Sequence, residues 1–139
     1  MIPVYGAYVR ILWLASGGIY LPPLYITSDR PGAGKTALAA SLATLSGKHV
    51  SYYKPYSPTP DADPDVDFVG ESLSATISAI PLPHPKGRSV SIPADDARKI
   101  KRVCKRLSEG MDLALVEGPS LADNRGNRSL IAQELPNLL

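Results

Sequence analysis

The chain has 139 residues, enough for one domain with a modest core. An apolar content of 44%, a charged content of 20% and a formal net charge of +2 describe an ordinary globular chain and do not argue for a nucleic-acid partner. The single cysteine, Cys104, excludes an internal disulfide and any cysteine-rich zinc site, in keeping with a reducing, cytoplasmic setting.

Residues 1–23, "MIPVYGAYVRILWLASGGIYLPP", are apolar with one charge, Arg10. A secretory signal carries its charge ahead of the apolar run rather than inside it. The uninterrupted runs are also too short to span a bilayer, so no membrane partner is expected. The segment reads as a weak strand or as an apolar leader outside the fold, which leaves 24–139 as the patterned domain. "PLYITS", residues 23–28, is a short β-branched run ending in turn residues and predicts a buried strand. "GKTALAASLATLSGK" predicts a helix, with Leu38, Leu42 and Leu45 at helical spacing and Gly47 at the C-cap position. "HVSYYKP" predicts a second strand, stopped by Pro55. Strand, glycine loop, helix and strand make a βαβ unit, whose crossover is expected to be right-handed.

Fourteen prolines demand loop elsewhere. "PYSPTPDADP", residues 55–64, and "PLPHPKGRS" read as loops, and "DVDFVGESLSATI" between them holds a short helix. "IPADDARKIKRVCKRLSEG" predicts a longer helix, acidic at its start and basic at its end, closed by Gly110. Ile100, Val103 and Leu107 form its apolar stripe, and Cys104 sits at the core edge. Its basic run, Arg98, Lys99, Lys101, Arg102, Lys105 and Arg106, lies on the polar face with no aromatic platform beside it. That reads as a solvated helix face and not as a nucleic-acid surface. "MDLALVEG" predicts a third buried strand and "NRSLIAQEL" a last helix. His49 and His84 show no ligand spacing.

The chemistry concentrates in "YITSDRPGAGKTALAASLA". Phosphates need several donors at close range, and the backbone N–H groups of a glycine-rich turn at a helix start supply them. Here Gly32, Ala33, Gly34, Lys35 and Thr36 form the expected cradle. The Lys35 ammonium is expected at the β- and γ-phosphates, and the Thr36 hydroxyl on Mg²⁺. Two features depart from G-x-x-x-x-G-K-[ST]: Asp29 replaces the first glycine, and Pro31 offers no N–H. A chance turn capping a helix is the competing reading. The strand directly before and the helix directly after favour a phosphate loop.

"LYITSDRPGAGKTALAASLA", "VSYYKPYS" and "DLALVEGPS", in this order, resemble the P-loop domain shared by dethiobiotin synthetase, the cobyrinic acid a,c-diamide synthases and the N-terminal domain of long phosphate acetyltransferases. The last looks nearest through its T-S-[acidic] start. The resemblance covers about residues 24 to 135. It implies an α/β fold, a P-loop NTPase-like parallel sheet with flanking helices, binding ATP and Mg²⁺. Many members of this group lack a strict first glycine, so Asp29 does not count against the loop. The resemblance places Lys35 and Lys54 among the catalytic groups, Lys54 pointing into the active site from the end of the second strand. Glu117 becomes a Mg²⁺-side carboxylate at the end of the third. Asp65 aligns as a further Mg²⁺-side residue, with Asp67 as the competing choice. Asp61, Asp63 and most of this cluster read otherwise as an acidic loop. Arg30 stands where some dimeric P-loop ATPases carry a trans-acting lysine, although a plain loop arginine is the simpler reading.

The resembling domains continue for several more strands, whereas "QELPNLL" ends this chain where a next strand is expected. The expectation is therefore a sheet incomplete at its C-terminus. Its strand 111–117 would carry an unpaired edge, prone to self-association or to docking with a missing C-terminal part. Three function classes follow: an ATP-dependent domain of the synthetase or ligase type, a nucleotide-sensing regulatory domain of an acyltransferase, or an inactive fragment. No second-substrate pocket is legible in the sequence.

Overall fold

The computed structural model describes residues 7–11, 23–46, 49–73, 76–77, 79–86 and 90–139. Gly47, the expected C-cap, lies outside them. In chain order the elements are β1 (Ala7–Ile11), β2 (Leu24–Ser28), α1 (Lys35–Ser46), β3 (Val50–Tyr53), β4 (Tyr56–Ser57), α2 (Pro64–Leu73), β5 (Thr76–Ile77), β6 (Leu82–Pro83), α3 (Ala94–Leu107), β7 (Leu113–Glu117) and α4 (Leu130–Glu134). Short 3₁₀ turns cover Pro60–Ala62 and Leu135–Leu138.

The principal sheet has the order β1-β2-β7-β3-β5. β2, β7, β3 and β5 are parallel, and β1 is antiparallel to β2. Part of the apolar N-terminal segment is thus a sheet strand. β7 lies in the middle, with Ile26 opposite Glu117 on one side and Tyr53 opposite Val116 on the other. The expected unpaired edge at residues 111–117 is therefore wrong: β1 and β5 are the edges. Strand order depends on where a crossover returns, and local pattern carries no record of it. The two proline-rich loops are also less irregular than composition suggests, because β4 and β6 pair in parallel across them. Where a further strand was expected, the chain forms the second 3₁₀ turn, with Leu135 and Pro136 buried.

Side chains alternate along each parallel strand, so the sheet buries two faces. Tyr25, Tyr53, Ala114 and Val116 pack with Ile100, Cys104 and Leu107 of α3 and Ile131 of α4. Ile26, Val50, Tyr52 and Leu115 face the other way, against Ala39 of α1 and Val69 of α2. The buried side of α1 is Ala39 and Ala40, with Leu38 and Leu42 beside them, whereas Leu45 is 83% exposed. Alanines let the helix lie close on the strands, and the leucine spacing overstated the stripe. On α3 the expected Ile100 and Leu107 are buried, together with Cys104, whose thiol is pushed up to about 12 by burial.

Two crossovers leave this sheet on opposite faces. The chain leaves β2 into α1 on one face, and leaves β7 toward α4 on the other. In an open α/β sheet such a divergence opens a crevice at the carboxyl ends of the strands. Gly118 starts that exit: its N–H donates to the Ile26 carbonyl at 2.8 Å. A Cβ there would collide with the phenol of Tyr25. We expect Gly118→Ala to cost about 1–3 kcal/mol in urea unfolding, as overpacking does, while Leu45→Ala stays within about 0.5 kcal/mol of wild type.

Candidate functional site

The loop between β2 and α1 turns on Gly32 and Gly34, with φ of +74° and +83°. Side-chain-bearing residues rarely adopt this left-handed conformation. The Gly34 carbonyl accepts the N–H of Leu38 at 2.9 Å and so begins the helix. The N–H groups of Gly32, Ala33, Gly34, Lys35 and Thr36 precede or open the first turn and have no partner within α1. They converge with the positive end of the helix, an arrangement suited to an anion.

The sheet order brings three strand ends together here. Glu117 ends β7 on the α1 face, one residue beyond Val116, which faces α3. The Thr36 hydroxyl lies 3.2 and 3.1 Å from its two carboxylate oxygens, and the Tyr52 hydroxyl donates to one of them at 2.7 Å. Glu117 is buried, and burial pushes its carboxyl above the ordinary range against the bond from Tyr52. The Tyr52 phenol is raised too, by burial first and then by the neighbouring Glu117 charge.

Lys35 begins α1 and turns back over the loop. Its ammonium donates to the hydroxyls of Ser28 at 3.2 Å and Ser120 at 3.1 Å, which are themselves 2.9 Å apart. Burial holds it below the ordinary lysine value, partly offset by the Glu117 charge. Asp29 keeps one carboxylate oxygen buried without a partner.

Lys54 follows β3 and forms a separate cluster. It bonds both oxygens of Asp63, at 3.1 and 2.9 Å, and Asp65 at 2.6 Å. Asp63 caps α2: its Oδ1 accepts the N–H groups of Asp65 at 3.0 Å and Val66 at 3.1 Å, with Pro64 at the first helical position. Ser57 donates to its other oxygen at 2.5 Å. Burial alone would raise Asp63, but Ser57 and Lys54 outweigh it and hold the carboxyl below the usual range. Burial alone would lower Lys54, but its bonds to Asp65 and Asp63 hold it above the ordinary lysine value.

The structure thus joins Thr36 to Glu117 and seats Lys35 beside them. It ties Asp65 to Lys54 and leaves Asp67 exposed on α2. Among the described residues no group of three or more His, Cys, Asp and Glu could hold a metal ion by itself, so any metal here needs the Thr36 hydroxyl and outside oxygens. Tyr52, Ser57, Asp63 and Ser120 were missed in the sequence. Tyr52 was recoverable from its i, i+2 relation to Lys54, and Asp63 from the Asp-Pro helix start. Ser120 had no sequence signal. On α3 the basic residues 98, 99, 101, 102, 105 and 106 are exposed, and Arg98 pairs with Asp95. Among the described residues no helix is long and apolar enough to cross a membrane.

No protein-family model, no curated protein and no solved structure matches the chain.

The Lys54–Asp63 pair generates a stability prediction. Asp63 is depressed, so its contribution is present above the unfolded aspartate pKa of about 3.9 and is lost as pH falls through the lower folded value. Lys54 is raised, so its contribution is present below the unfolded lysine pKa of about 10.4 and is lost as pH rises through the higher folded value. Asp63→Asn should cost about 3 kcal/mol near neutral pH, because it leaves a half-buried ammonium short of a partner. Thermal melts from neutral pH downward should show a flatter acid limb in the variant. Parallel acid limbs would mean that Asp63 does not carry the effect.

Proposed function

We propose that the chain is a Mg·ATP-binding domain of the P-loop type, akin to the dethiobiotin synthetase group and to the N-terminal domain of long phosphate acetyltransferases. The observation that carries this reading is the meeting of Thr36 and Glu117, a helix-start hydroxyl 3.1 Å from a buried carboxylate on the neighbouring parallel strand. Mg²⁺ takes hard oxygen ligands and is usually held by one or two protein oxygens, with water and phosphate oxygens for the rest. The donor set fits that description. Thr36 and Glu117 would hold Mg²⁺ here, and the ion would supply positive charge to the phosphates.

The remaining residues serve the phosphates. The N–H groups of Gly32, Ala33, Gly34, Lys35 and Thr36 orient the chain of phosphates along the helix start. The Lys35 ammonium, which donates to Ser28 and Ser120, would turn to the terminal phosphate, whose negative charge would offset the cost of its burial. Lys54 and Asp65 act as a charge pair at the edge of the site, within electrostatic reach of both Lys35 and Glu117. The lone, buried Cys104 supports a reducing, cytoplasmic setting. A nucleotide-sensing role is the second reading. The engagement of Lys54 by two carboxylates favours it, because that ammonium is then committed to the protein and not to a substrate.

Calorimetry tests the loop directly. Lys35→Ala should weaken Mg·ATP binding at least tenfold, about 1.4 kcal/mol; equal affinity in the two proteins would sink the nucleotide reading. Glu117→Gln keeps the shape and removes the charge, so it should weaken binding with Mg²⁺ present more than binding without it. The same substitution should raise the melting temperature of the ligand-free chain, since a buried charge without a cationic bond is costly. Equal losses with and without Mg²⁺ would place Glu117 outside the metal site.

A further inference from the structure

Beyond the glycine loop lies a cleft of about 400 Å³, lined by Pro31, His84, Ser120, Arg125, Asn127 and Arg128 among others. Its outer wall is a hairpin formed by residues 121–129. Ala122 and Arg128 pair antiparallel, Asp123 N–H donates to the Asn127 carbonyl at 2.9 Å, and Ser129 N–H donates to the Leu121 carbonyl at 2.8 Å. Gly126 takes the turn with φ of +79°. The Asp123 carboxylate is consumed inside the hairpin, accepting the N–H groups of Arg125 at 2.8 Å and Asn127 at 2.9 Å and the Asn127 side-chain amide at 2.8 Å.

The hairpin is also tied to the strand that carries the glycine loop. Leu121 N–H donates to the Ser28 carbonyl at 2.7 Å and Ala122 N–H to the Asp29 carbonyl at 3.1 Å. The backbone that carries its arginines is therefore fixed relative to the loop. Ser120 lines the cleft, and its hydroxyl accepts a hydrogen bond from the Lys35 ammonium at 3.1 Å. Among the described residues neither Arg125 nor Arg128 is in a salt bridge. The lining thus holds two arginines and one carboxylate, Asp123, whose charge is offset by Arg125, and the Lys35 ammonium stands one hydrogen bond behind Ser120. The volume of the cleft falls in the usual range for a small-molecule site.

We propose that this cleft is the subsite of a second, small, oxyanion-bearing ligand, whose carboxylate or phosphate is held by Arg125 and Arg128 while its other end reaches toward Lys35. Guanidinium forks bind planar carboxylates and phosphates through paired hydrogen bonds. Anion binding in the cleft stands on the cleft alone; its role as a partner site to the nucleotide rests on the Mg·ATP reading above. The sequence concealed this site because its residues come from three separated segments, and Arg128 falls there within the stretch expected as the last helix.

Succinate and inorganic phosphate, titrated separately into the isotope-labelled full chain with and without saturating Mg·ADP, distinguish a carboxylate from a phosphate ligand. We expect saturable amide shifts at Arg125, Gly126, Asn127 and Ser129 with at least one probe. The double variant R125Q/R128Q should bind that probe about tenfold more weakly, a factor worth about 1.4 kcal/mol. The variant K101Q/K105Q, which removes the same charge from the exposed face of α3, should bind it as wild type does. Three results overturn the proposal: no saturable shift from either probe, shifts confined to Gly32, Ala33 and Gly34, or equal weakening in both double variants. If Mg·ADP fails to bind while the hairpin shifts persist, the nucleotide reading falls and the cleft stands. If Mg·ADP binds and the hairpin stays silent, only the cleft falls.

Discussion

A buried carboxylate at the tip of the central strand organises the carboxyl edge of this sheet. Glu117 is bonded by Thr36 from the start of α1 and by Tyr52 from β3, so one side chain at the end of β7 joins a helix and a neighbouring strand. Hydroxyl donors satisfy the oxygens but do not neutralise the charge, and burial pushes the carboxyl above its usual range. Lys35 and Lys54 stand near enough to moderate that charge, yet each spends its hydrogen bonds elsewhere. The edge is held in an electrostatically unsaturated arrangement, which is the physical basis for expecting an added cation beside Glu117. Lys54, by contrast, belongs to a closed circuit. With Asp63, Asp65 and Ser57 it forms a self-sufficient polar cluster that fixes the start of α2.

Much of this architecture was legible in the residues. The β2 strand, α1, β3, α3 and β7 each carry a strong local pattern with clear boundaries, and each lies within a residue or two of its expected span. The loop glycines, Lys35, Thr36 and Glu117 were singled out from the glycine-rich turn and from the family resemblance, and the fold brings Thr36 and Glu117 together. What was lost is nonlocal. The central position of β7 depends on how the long connection from β3 returns, and nothing near residues 111–117 encodes it. The pairing of β4 with β6 is set by tertiary contact between two proline-rich stretches. Leu45 kept the helical spacing but sits off the buried arc of α1.

The acidic run that leads into the first turn of α2 shows how composition can mislead at the level of a site. Of four aspartates in seven residues, 61–67, the sequence offered Asp65 or Asp67 as a Mg²⁺-side candidate and read the others as an acidic loop. The fold separates them by function: Asp63 is a buried helix cap and counter-ion, Asp65 is the second partner of Lys54, and Asp61 and Asp67 face solvent. The Asp-Pro step is the local feature that marks Asp63, because it supplies a cap and a first helical residue with no N–H to satisfy.

The backbone bonds from Leu121 to Ser28 and from Ala122 to Asp29 extend the pairing of β2 and β7 past the ends of both strands. The hairpin is therefore stitched to the glycine loop and cannot swing as a hinged flap without breaking sheet-like bonds. Rearrangement at the mouth of the cleft falls instead to the arginine side chains. Exposed rotamers exchange in picoseconds to nanoseconds, whereas hinged closures take microseconds to milliseconds. A ligand entering this opening would therefore meet reorienting side chains and not a gating step of the backbone.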